Sequence, residues 1–397
     1  MIESDYMSKK LTIGLFNDSF FPMMDGVVMV VDNYARELSK YANVIVFAPQ
    51  YSNTKYDDSK LPYKVVRCKS MNVPFLDYSL PLPKSDKKFM KELTNSKLDI
   101  VHIHSPFTIG RCGLEYAKKH KIPCVATMHS QFKKDFKRIV KFDFLANLLN
   151  KSLINVFNKC DECFAVNSEV ARIFYEDYKY KILPKVMNNA TEFEPVKDIE
   201  QAKEIINLKH KIQNHEKVFL FVGRINLLKN ILFIVDSLKL VKEKEPNLKF
   251  KMLFVGGGQD IDILKKYIKE NNLQKDIIIC GKVLDREMLK NYYARADLFL
   301  FPSLYDASSI VQIEAASQST PGIFLKNSAT AATVIDNKNG FLTENNINDY
   351  SNRIIEVINN KKLYDKVSTN CFKELYINWD KKVEEMYTIY KELINKE

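Results

Sequence analysis

Short apolar runs alternate along the chain with longer segments in which apolar residues recur at the spacing of a helix. Such runs predict buried parallel strands, and the longer segments predict crossover helices. The predicted strands are residues 11–16, 43–49, 63–68, 98–104, 123–129 and 163–168, then 217–223, 249–258, 276–281, 297–303 and 321–325. The predicted helices include residues 27–40, 110–120, 230–244, 259–270, 285–294 and 308–318. The pattern therefore predicts an α/β protein with two Rossmann-like, doubly wound sheets.

The boundary between the two sheets is predicted near residues 190–200. The stretch NNATEFEPVKDIEQ (188–201) is polar and carries a proline. A chain of 397 residues is long enough for two domains of roughly 150 to 200 residues each. We therefore expect a first domain over residues 1–194 and a second domain that begins at residue 195.

Composition and charge narrow the class of protein. The chain is 46% hydrophobic and 27% charged, which is typical of a globular protein. Its net charge of +11 favours anionic partners such as phosphates, nucleotides or acidic lipid surfaces. The sequence has no zinc-finger spacing, no RNP-like aromatic pair and no heptad repeat. We therefore do not expect it to bind nucleic acid.

Apolar segments and cysteines bear on the cellular compartment. No run approaches about 20 uninterrupted apolar residues, and the segment MIESDYMSKK has no apolar signal core. Seven cysteines, an odd number, indicate reduced thiols rather than a disulfide framework. Cys160 and Cys163 form a lone C-x-x-C without a second pair, which argues against a zinc or redox site. We expect a cytoplasmic protein without a bound metal.

Candidate chemistry in the first half lies just after predicted strands, where doubly wound sheets bind their ligands. Gly26 opens a predicted helix whose free amides suit an anion. His102 and His104 end one strand on the same face, and His129 ends the next. Histidines at strand ends are also commonly structural, so the pattern leaves both roles open.

The second half carries charged residues and glycines at the corresponding positions. Arg224 and Lys229 follow one strand, and three consecutive glycines follow the next. The stretch DASSIVQIE places Asp306 before a predicted helix and Glu314 within it. Each feature also has a structural explanation: solvated surface charges, a tight turn, or a helix cap worth about 1 kcal/mol. Their shared position beyond the strand ends favours a ligand site.

These stretches resemble motifs of the GT-B glycosyltransferases of family 4, retaining enzymes that use nucleotide-sugar donors. The resemblance covers nearly the whole chain. It rests on FFPMMDGV, VHIHSPF, TMHSQF, VGRINLLKN, FVGGG and the two acids Asp306 and Glu314. It implies two Rossmann-like domains that face each other across a cleft. INWDKKVEEMYTIYKEL (377–393) resembles the family's last segment, which crosses back onto the first domain.

The resemblance assigns functions to the domains and to single residues. Residues 1–194 with 379–397 would bind the acceptor, and 195–378 the nucleotide sugar. Arg224 and Lys229 would stabilise the leaving phosphate without a metal or other cofactor. The second acid, Glu314, would bind the ribose, and Asp306 and His129 would contact the transferred sugar. The other donor-binding residues implied are Gly26, Gly223, Gly256, Gly257, Lys282, Val283, Ser308, Ser309 and Ile310.

Several positions depart from the family pattern, among them NNATEF (188–193) and KNSATAATVI (326–335), and two of them lie in the candidate donor site. Asp306 stands where the family has Glu, and its carboxylate reaches about 1.5 Å less. Ser309 stands where the family has Gly, which restricts the backbone beside the donor. These departures leave open a catalytically silent partner subunit of a glycosyltransferase pair. A sugar-nucleotide epimerase is a further alternative, because such enzymes can share the two-domain architecture.

The acceptor is indicated by a basic segment. Residues 131–160 hold seven Lys or Arg against two Asp, interleaved with aromatic and aliphatic residues. Such a segment suits the anionic inner face of a membrane, and ordinary packing of its apolar residues on the sheet also explains it. The family resemblance implies a hexose or N-acetylhexosamine carried by UDP, the commonest donor carrier in families of this kind. We expect a lipid, lipid-linked or polysaccharide acceptor. The sequence does not predict the oligomeric state.

Overall fold

The computed structural model describes residues 10–51, 56–72, 79–133, 136, 142–308 and 310–396. Ser309 and most of residues 134–141 in the basic segment lie outside the described residues. The chain divides into two compact units. Unit 1 consists of Met1–Asn189 with Trp379–Glu397, and unit 2 of Ala190–Asn378.

Unit 1 is built on an eight-stranded sheet. Its strands are β1 (Thr12–Phe16), β2 (Asn43–Gln50), β3 (Lys64–Asn72), β4 (Ser79–Pro81), β5 (Ile100–Ile103), β6 (Cys124–Met128), β7 (Glu162–Ala165) and β8 (Lys185–Val186). Their spatial order is β4-β3-β2-β1-β5-β6-β7-β8. Neighbours run parallel except β3 and β4. The strand order reverses between β1 and β5.

The helices of unit 1 that precede unit 2 cover this sheet. They include α1 (Gly26–Leu38), α2 (Lys87–Asn95), α3 (Thr108–His120), α4 (Asp143–Phe157) and α5 (Ser168–Arg172). In α1, Val28, Val31 and Ala35 recur at helical spacing and are buried. Asp25 caps this helix, since its carboxylate accepts from the amide of Val28 at 2.9 Å.

Unit 2 is built on a six-stranded parallel sheet. Its strands are β9 (Lys217–Val222), β10 (Phe250–Val255), β11 (Ile277–Gly281), β12 (Leu298–Phe301), β13 (Gly322–Leu325) and β14 (Phe341–Thr343), in the spatial order β11-β10-β9-β12-β13-β14. The strand order reverses between β9 and β12. The helices are α6 (Ile199–His210), α7 (Ile231–Lys244), α8 (Ile261–Glu270), α9 (Arg286–Arg295), α10 (Ile310–Ser317), α11 (Ile347–Asn359) and α12 (Lys361–Leu375).

The helix that follows unit 2, α13 (Trp379–Asn395), belongs to unit 1. Trp379, Val383 and Tyr390 lie on its buried face. The indole of Trp379 packs against Tyr34 of α1, with ring centroids 5.1 Å apart. This is the return to the first domain that the family resemblance implied.

The predicted α/β fold with two doubly wound sheets is confirmed, and all eleven predicted strands are present. The sequence pattern missed β4, β8 and β14, which have two or three residues each and therefore carry no apolar run. The structure divides the chain between residues 189 and 190, a few residues before the predicted boundary. The reason is that Phe193 belongs to the core of unit 2.

Among the described helices, none combines the length and the apolar character needed to cross a membrane.

Candidate functional site

The loops after β9 and β10 pack backbone against backbone in unit 2. The amide of Ile225 donates to the carbonyl of Gly257 at 2.9 Å. A Cβ at Gly256 would lie 1.9 Å from the carbonyl oxygen of Gly223, and one at Gly258 would lie 2.1 Å from that of Ile225. These glycines are therefore required by the close approach of two loops, which explains the glycine triplet without a phosphate.

Gly257 is also covered by a side chain from the neighbouring strand exit. A Cβ there would lie 2.7 Å from Cε of Lys282, so the lysine chain runs across this glycine. Val283 packs against the core of unit 2. The structure thus brings together Gly257, Lys282 and Val283, three of the residues that the family resemblance assigned to donor binding.

An ion pair joins the loops that follow β9 and β12, where the strand order of unit 2 reverses. Nζ of Lys229 lies 2.5 Å from Oδ1 of Asp306. The hydroxyl of Ser303 donates to Oδ2 of the same carboxylate at 2.6 Å. The ammonium also lies 5.3 Å from the ring centroid of Phe301. Arg224, half-buried on the same loop as Lys229, adds a second cation to this region.

Glu314 is almost completely buried on α10, with a side chain that is 4% exposed. Nη2 of Arg286 donates to its Oε1 at 2.6 Å, and the hydroxyl of Tyr293 donates to its Oε2 at 2.6 Å. As predicted, Glu314 lies within the helix and Asp306 in the loop before it. Ile310 begins α10 and the half-buried Ser308 precedes it, whereas Ser309 lies outside the described residues.

The sequence did not indicate the partners that hold Glu314. Arg286 begins α9, donates from Nε to Glu192 at 2.7 Å and lies 4.3 Å from the ring centroid of Phe193. Burial opposes its charge, but the carboxylates of Glu314 and Glu192 outweigh that effect and raise the pKa of Arg286. Burial, followed by the Glu314 charge, raises the pKa of Tyr293 well above its usual value. Arg286 therefore carries a fixed charge between two acids.

Three histidines form a buried cluster in unit 1. Nδ1 of His104 lies 3.0 Å from Nε2 of His129. The ring of His102 lies against that of His104, with centroids 4.0 Å apart. His102 is held by Tyr390 of α13, 2.5 Å from its Nδ1, and by Thr127, 2.7 Å from its Nε2. The three imidazoles thus form a connected unit between the sheet and the final helix.

The histidine cluster is neutral at physiological pH. Burial lowers the pKa of His129 to about 3. Burial, with a smaller effect of the neighbouring His129, lowers the pKa of His102 to about 3. The pKa of His104 lies well below its usual value for the same reason, with both neighbouring rings adding to the effect. Within the described part of the chain, no three His, Cys, Asp or Glu side chains are arranged to hold a metal ion.

In unit 1, the point between β1 and β5 where the strand order reverses holds a carboxylate of the protein itself. Asp18, which follows β1, accepts from the amides of Ile109 and Gly110 at the start of α3, at 2.7 and 3.3 Å. The hydroxyls of Ser105 and Thr108 donate to the same group at 2.7 and 3.0 Å. The free amides that would bind a phosphate at this helix start are therefore already engaged.

Gly26 is the exposed first residue of α1, as predicted. A side chain there would meet nothing within 4 Å, so packing does not require a glycine. The nearby amide of Val28 is already bonded to Asp25. An anion at this helix start would lie next to that carboxylate.

Two family models cover most of the chain. The model described as Glycosyltransferase Family 4 matches residues 24–189, within unit 1. The model described as Glycosyl transferases group 1 matches residues 202–374, within unit 2.

Relatives and a solved structure are similar over most of their length. The alpha-monoglucosyldiacylglycerol synthase of Acholeplasma laidlawii is 27% identical over 97% of this chain and 98% of its own. The UDP-Gal:alpha-D-GlcNAc-diphosphoundecaprenol alpha-1,3-galactosyltransferase of Escherichia coli is 27% identical over 81% of this chain and 83% of its own. Anabaena Alr3699/HepE, crystallised with UDP and glucose, has the same fold, with a TM-score of 0.73 at 15% identity over 96% of this chain and 99% of its own. The protein belongs to the GT-B glycosyltransferases, with a family 4 domain in unit 1 and a group 1 domain in unit 2.

Proposed function

We propose that this protein moves a hexose or N-acetylhexosamine from a UDP-sugar to a lipid or lipid-linked acceptor, with retention of the anomeric configuration. The observation that carries the proposal is the pair of Lys229 and Asp306 at the strand-order reversal of unit 2. Ligands of doubly wound sheets bind at this point. A lysine held there by a carboxylate, with Arg224 on the same loop, is suited to stabilise a leaving diphosphate.

The contrast between the two reversals supports placing the nucleotide in unit 2. In unit 1 the amides at the start of α3 are already engaged by Asp18. In unit 2 the two cations lie on the loop after β9. Unit 2 therefore binds the nucleotide sugar in this proposal, and unit 1 binds the acceptor.

Five further residues have a part in the proposed donor site. Glu314, fixed by Arg286 and Tyr293, offers its remaining lone pairs to the ribose hydroxyls. Lys282 and Val283 lie beside Gly257 and contact the base through their main chain. Ser308 and Ile310 stand at the start of α10, where their amides suit a phosphate or sugar.

The proposed reaction breaks the bond between the anomeric carbon and the diphosphate oxygen. The acceptor oxygen bonds to the same face of that carbon, and its proton passes to the departing phosphate. Arg224 and Lys229 stabilise the charge that develops on the diphosphate. Because the acceptor attacks the anomeric carbon directly from the face that the diphosphate leaves, the mechanism requires no nucleophile from the protein.

An exposed apolar surface on α4 supports a lipid acceptor. Phe144 and Leu148 are 80% and 53% exposed, while Leu153 and Phe157 on the same helix are buried. Packing on the sheet therefore explains only some of the apolar residues in the basic segment 131–160. We define Phe142, Phe144 and Leu148 as the α4 apolar surface, and we propose that it inserts into an anionic membrane, which places the protein at the cytoplasmic face.

Basic residues line the groove between α3 and α4. Arg111 of α3 donates to the Ser152 hydroxyl of α4 at 2.9 Å, and a groove between these helices is also lined by Lys118 and Lys159. Each such cation near an anionic bilayer contributes about 1 kcal/mol of binding. The acid Glu115 also lines this groove. Exposed apolar residues together with basic residues are the features of a peripheral membrane helix.

Donor and acceptor are tested by binding followed by transfer. Thermal shifts of the full chain with UDP, GDP and ADP sugars are expected to be largest for UDP. Transfer from the best donor is then measured to diacylglycerol, to a polyprenyl diphosphate sugar and to soluble polysaccharide, and NMR of the product gives the anomeric configuration. Transfer to polysaccharide alone would contradict the lipid acceptor. Donor interconversion without an acceptor would indicate an epimerase, and the absence of transfer and of donor hydrolysis would indicate a silent subunit.

Membrane binding is tested by flotation with vesicles of phosphatidylcholine, with and without phosphatidylglycerol, at low salt. The double variant Phe144→Ser with Leu148→Ser is expected to lose most of its binding to the acidic vesicles. The matched control is Leu208→Ser, because Leu208 is 73% exposed on α6 of unit 2. Equal flotation of the two variants would contradict the proposed surface.

A further inference from the structure

The bond between His104 and His129 leaves one nitrogen of each ring to be accounted for. Nε2 of His104 is buried and has no hydrogen-bond partner. Burial keeps the pKa of both rings below the physiological range, so each ring carries a single proton. The hydrogen positions then follow from the hydrogen-bond network, because only one of the two facing nitrogens can donate.

Two arrangements are possible, and they differ at the buried Nε2 of His104. If His129 donates, the proton of His104 lies on Nε2 and becomes a buried N–H without an acceptor. If His104 donates from Nδ1, its Nε2 is a buried acceptor without a donor. Orphaned buried N–H groups are the rarer of the two in native structures. The second arrangement is therefore favoured.

We propose that His104 is a positioning residue that donates from Nδ1 to Nε2 of His129 and so makes Nδ1–H of His129 a fixed hydrogen-bond donor to a substrate oxygen. The substrate part of this inference rests on the proposed function, since the oxygen belongs to a hydroxyl of the sugar or of the acceptor. In this tautomer Nε2 of His129 is engaged and Nδ1 already carries a proton. His129 therefore orients a hydroxyl and does not act as a general base.

The surroundings of His104 hold its ring in the orientation that this role needs. His102 packs on one side, with its own ring bonded to Tyr390 and Thr127. Tyr34 lies 5.5 Å from the His104 ring, centroid to centroid. A ring packed in this way keeps Nδ1 directed at His129, as supporting residues do for other functional side chains.

The tautomer is measured directly by 15N NMR of the full chain labelled in histidine. Two-bond couplings distinguish a protonated Nδ1 from a protonated Nε2, and the His129 signals are assigned by their loss in His129→Asn. We expect His129 to carry its proton on Nδ1. A proton on Nε2 of His129 would overturn the inference whatever the enzymatic activity.

Variants of His104 test the positioning role. His104→Asn keeps an N–H donor near the position of Nδ1, whereas His104→Leu removes it. We expect kcat/KM to fall about 10-fold in His104→Leu, and we expect His104→Asn to restore most of it. The control is His102→Gln, which disturbs the same cluster without removing the bond to His129. The positioning role of His104 would be overturned if kcat/KM fell equally in the Asn and Leu variants. It would also be overturned if the His129 tautomer changed only in His102→Gln.

Substrate analogues test the direction of the hydrogen bond to His129. The hydroxyl that binds His129 is identified with deoxygenated substrates. Its removal slows transfer by the wild-type chain but does not slow transfer by His129→Ala any further. Fluorine at that position can accept weakly but cannot donate, so the wild-type chain is expected to use the fluorinated substrate better than the deoxygenated one. Equal use of both would overturn the donor role. A chain with Nδ1–H at His129 that transfers no sugar would instead overturn the proposed function and leave the tautomer assignment standing.

Discussion

The two units carry related sheets but different chemistry near the points where their strand orders reverse. In unit 1 the side chains are neutral imidazoles and the carboxylate of Asp18, whose lone pairs are taken by donors at the start of α3. In unit 2 they are cations paired with carboxylates, such as Lys229 with Asp306.

The difference shows how similar folds are suited to different ligand groups. A cation that is held by a carboxylate can be shared with an incoming phosphate, because the ion pair keeps it in place until the ligand arrives. Neutral imidazoles that are buried and bonded to each other offer directional hydrogen bonds to uncharged hydroxyls. Three measurements test this difference between the two units.

The largest effect is expected from removing the paired cation of unit 2. Lys229→Ala should lower kcat by about 10²- to 10⁴-fold, because the leaving phosphate loses its stabilising charge. The matched control is Lys326→Ala. Lys326 also pairs with an acid, Glu344 at 2.8 Å, but on the exposed surface. A loss of thermal stability without a loss of rate would assign Lys229 to structure instead.

A smaller effect is expected from Arg286→Ala, which leaves the buried Glu314 without one of its donors. We expect a loss of about 2 kcal/mol in the free energy of unfolding, together with weaker binding of nucleoside diphosphate. Urea unfolding and calorimetric titration measure the two effects.

Arg353→Ala is the matched control for Arg286. Arg353 pairs with Asp336 at 3.2 Å in the same unit and lies 6.0 Å from the ring centroid of Phe341. It should lose stability but keep its nucleotide affinity. If both variants bound nucleotide equally well, the role of Arg286 at Glu314 would be refuted.

The most gradual effect is expected when the pH is lowered, which reduces the stability of unit 1. Folding lowers the pKa of His102 and His129 to about 3, whereas unfolded histidine titrates near about 6.5. Between these values the unfolded chain binds more protons. Stability is therefore complete above about pH 6.5 and falls as the pH falls, by up to about 1.4 kcal/mol per pH unit for each histidine.

The single tryptophan of the chain reports on this acid effect. Trp379 is 1% exposed and packs against Tyr34 beside the histidine cluster. Its fluorescence during urea unfolding at pH 7 and pH 5 follows unit 1. His102→Gln should reduce the pH dependence, and the exposed His120→Asn should leave it unchanged. An unfolding midpoint that is the same at both pH values would contradict the buried neutral cluster.

Much of the fold was predictable because the strands are buried on both faces. A run such as KVFLFV in β9 is apolar at nearly every position, so it identifies a central parallel strand. The short edge strands β4, β8 and β14 form by pairing with a neighbour and carry no comparable run. The apolar runs therefore predicted the central strands of each sheet and missed these short edge strands.

The sequence predicted where the site residues lie, but it did not predict which side chains bond to each other. Lys229 and Asp306 are 77 residues apart, and the rule that ligands bind beyond strand ends placed both at the same edge. Alternation placed His102 and His104 on one face, as observed. No spacing indicates that Arg286 holds Glu314, because that bond depends on how α9 and α10 pack.

Helix α13 has a consequence for synthesis, because it completes unit 1 after the whole of unit 2 has been made. The partners of His102 and Tyr34 on this helix, Tyr390 and Trp379, emerge from the ribosome only after Ala190–Asn378. At typical elongation rates this delay is about 10 to 40 s. During that interval the nascent first unit exposes the apolar face that α13 will cover, and an exposed apolar face of this kind is prone to aggregation.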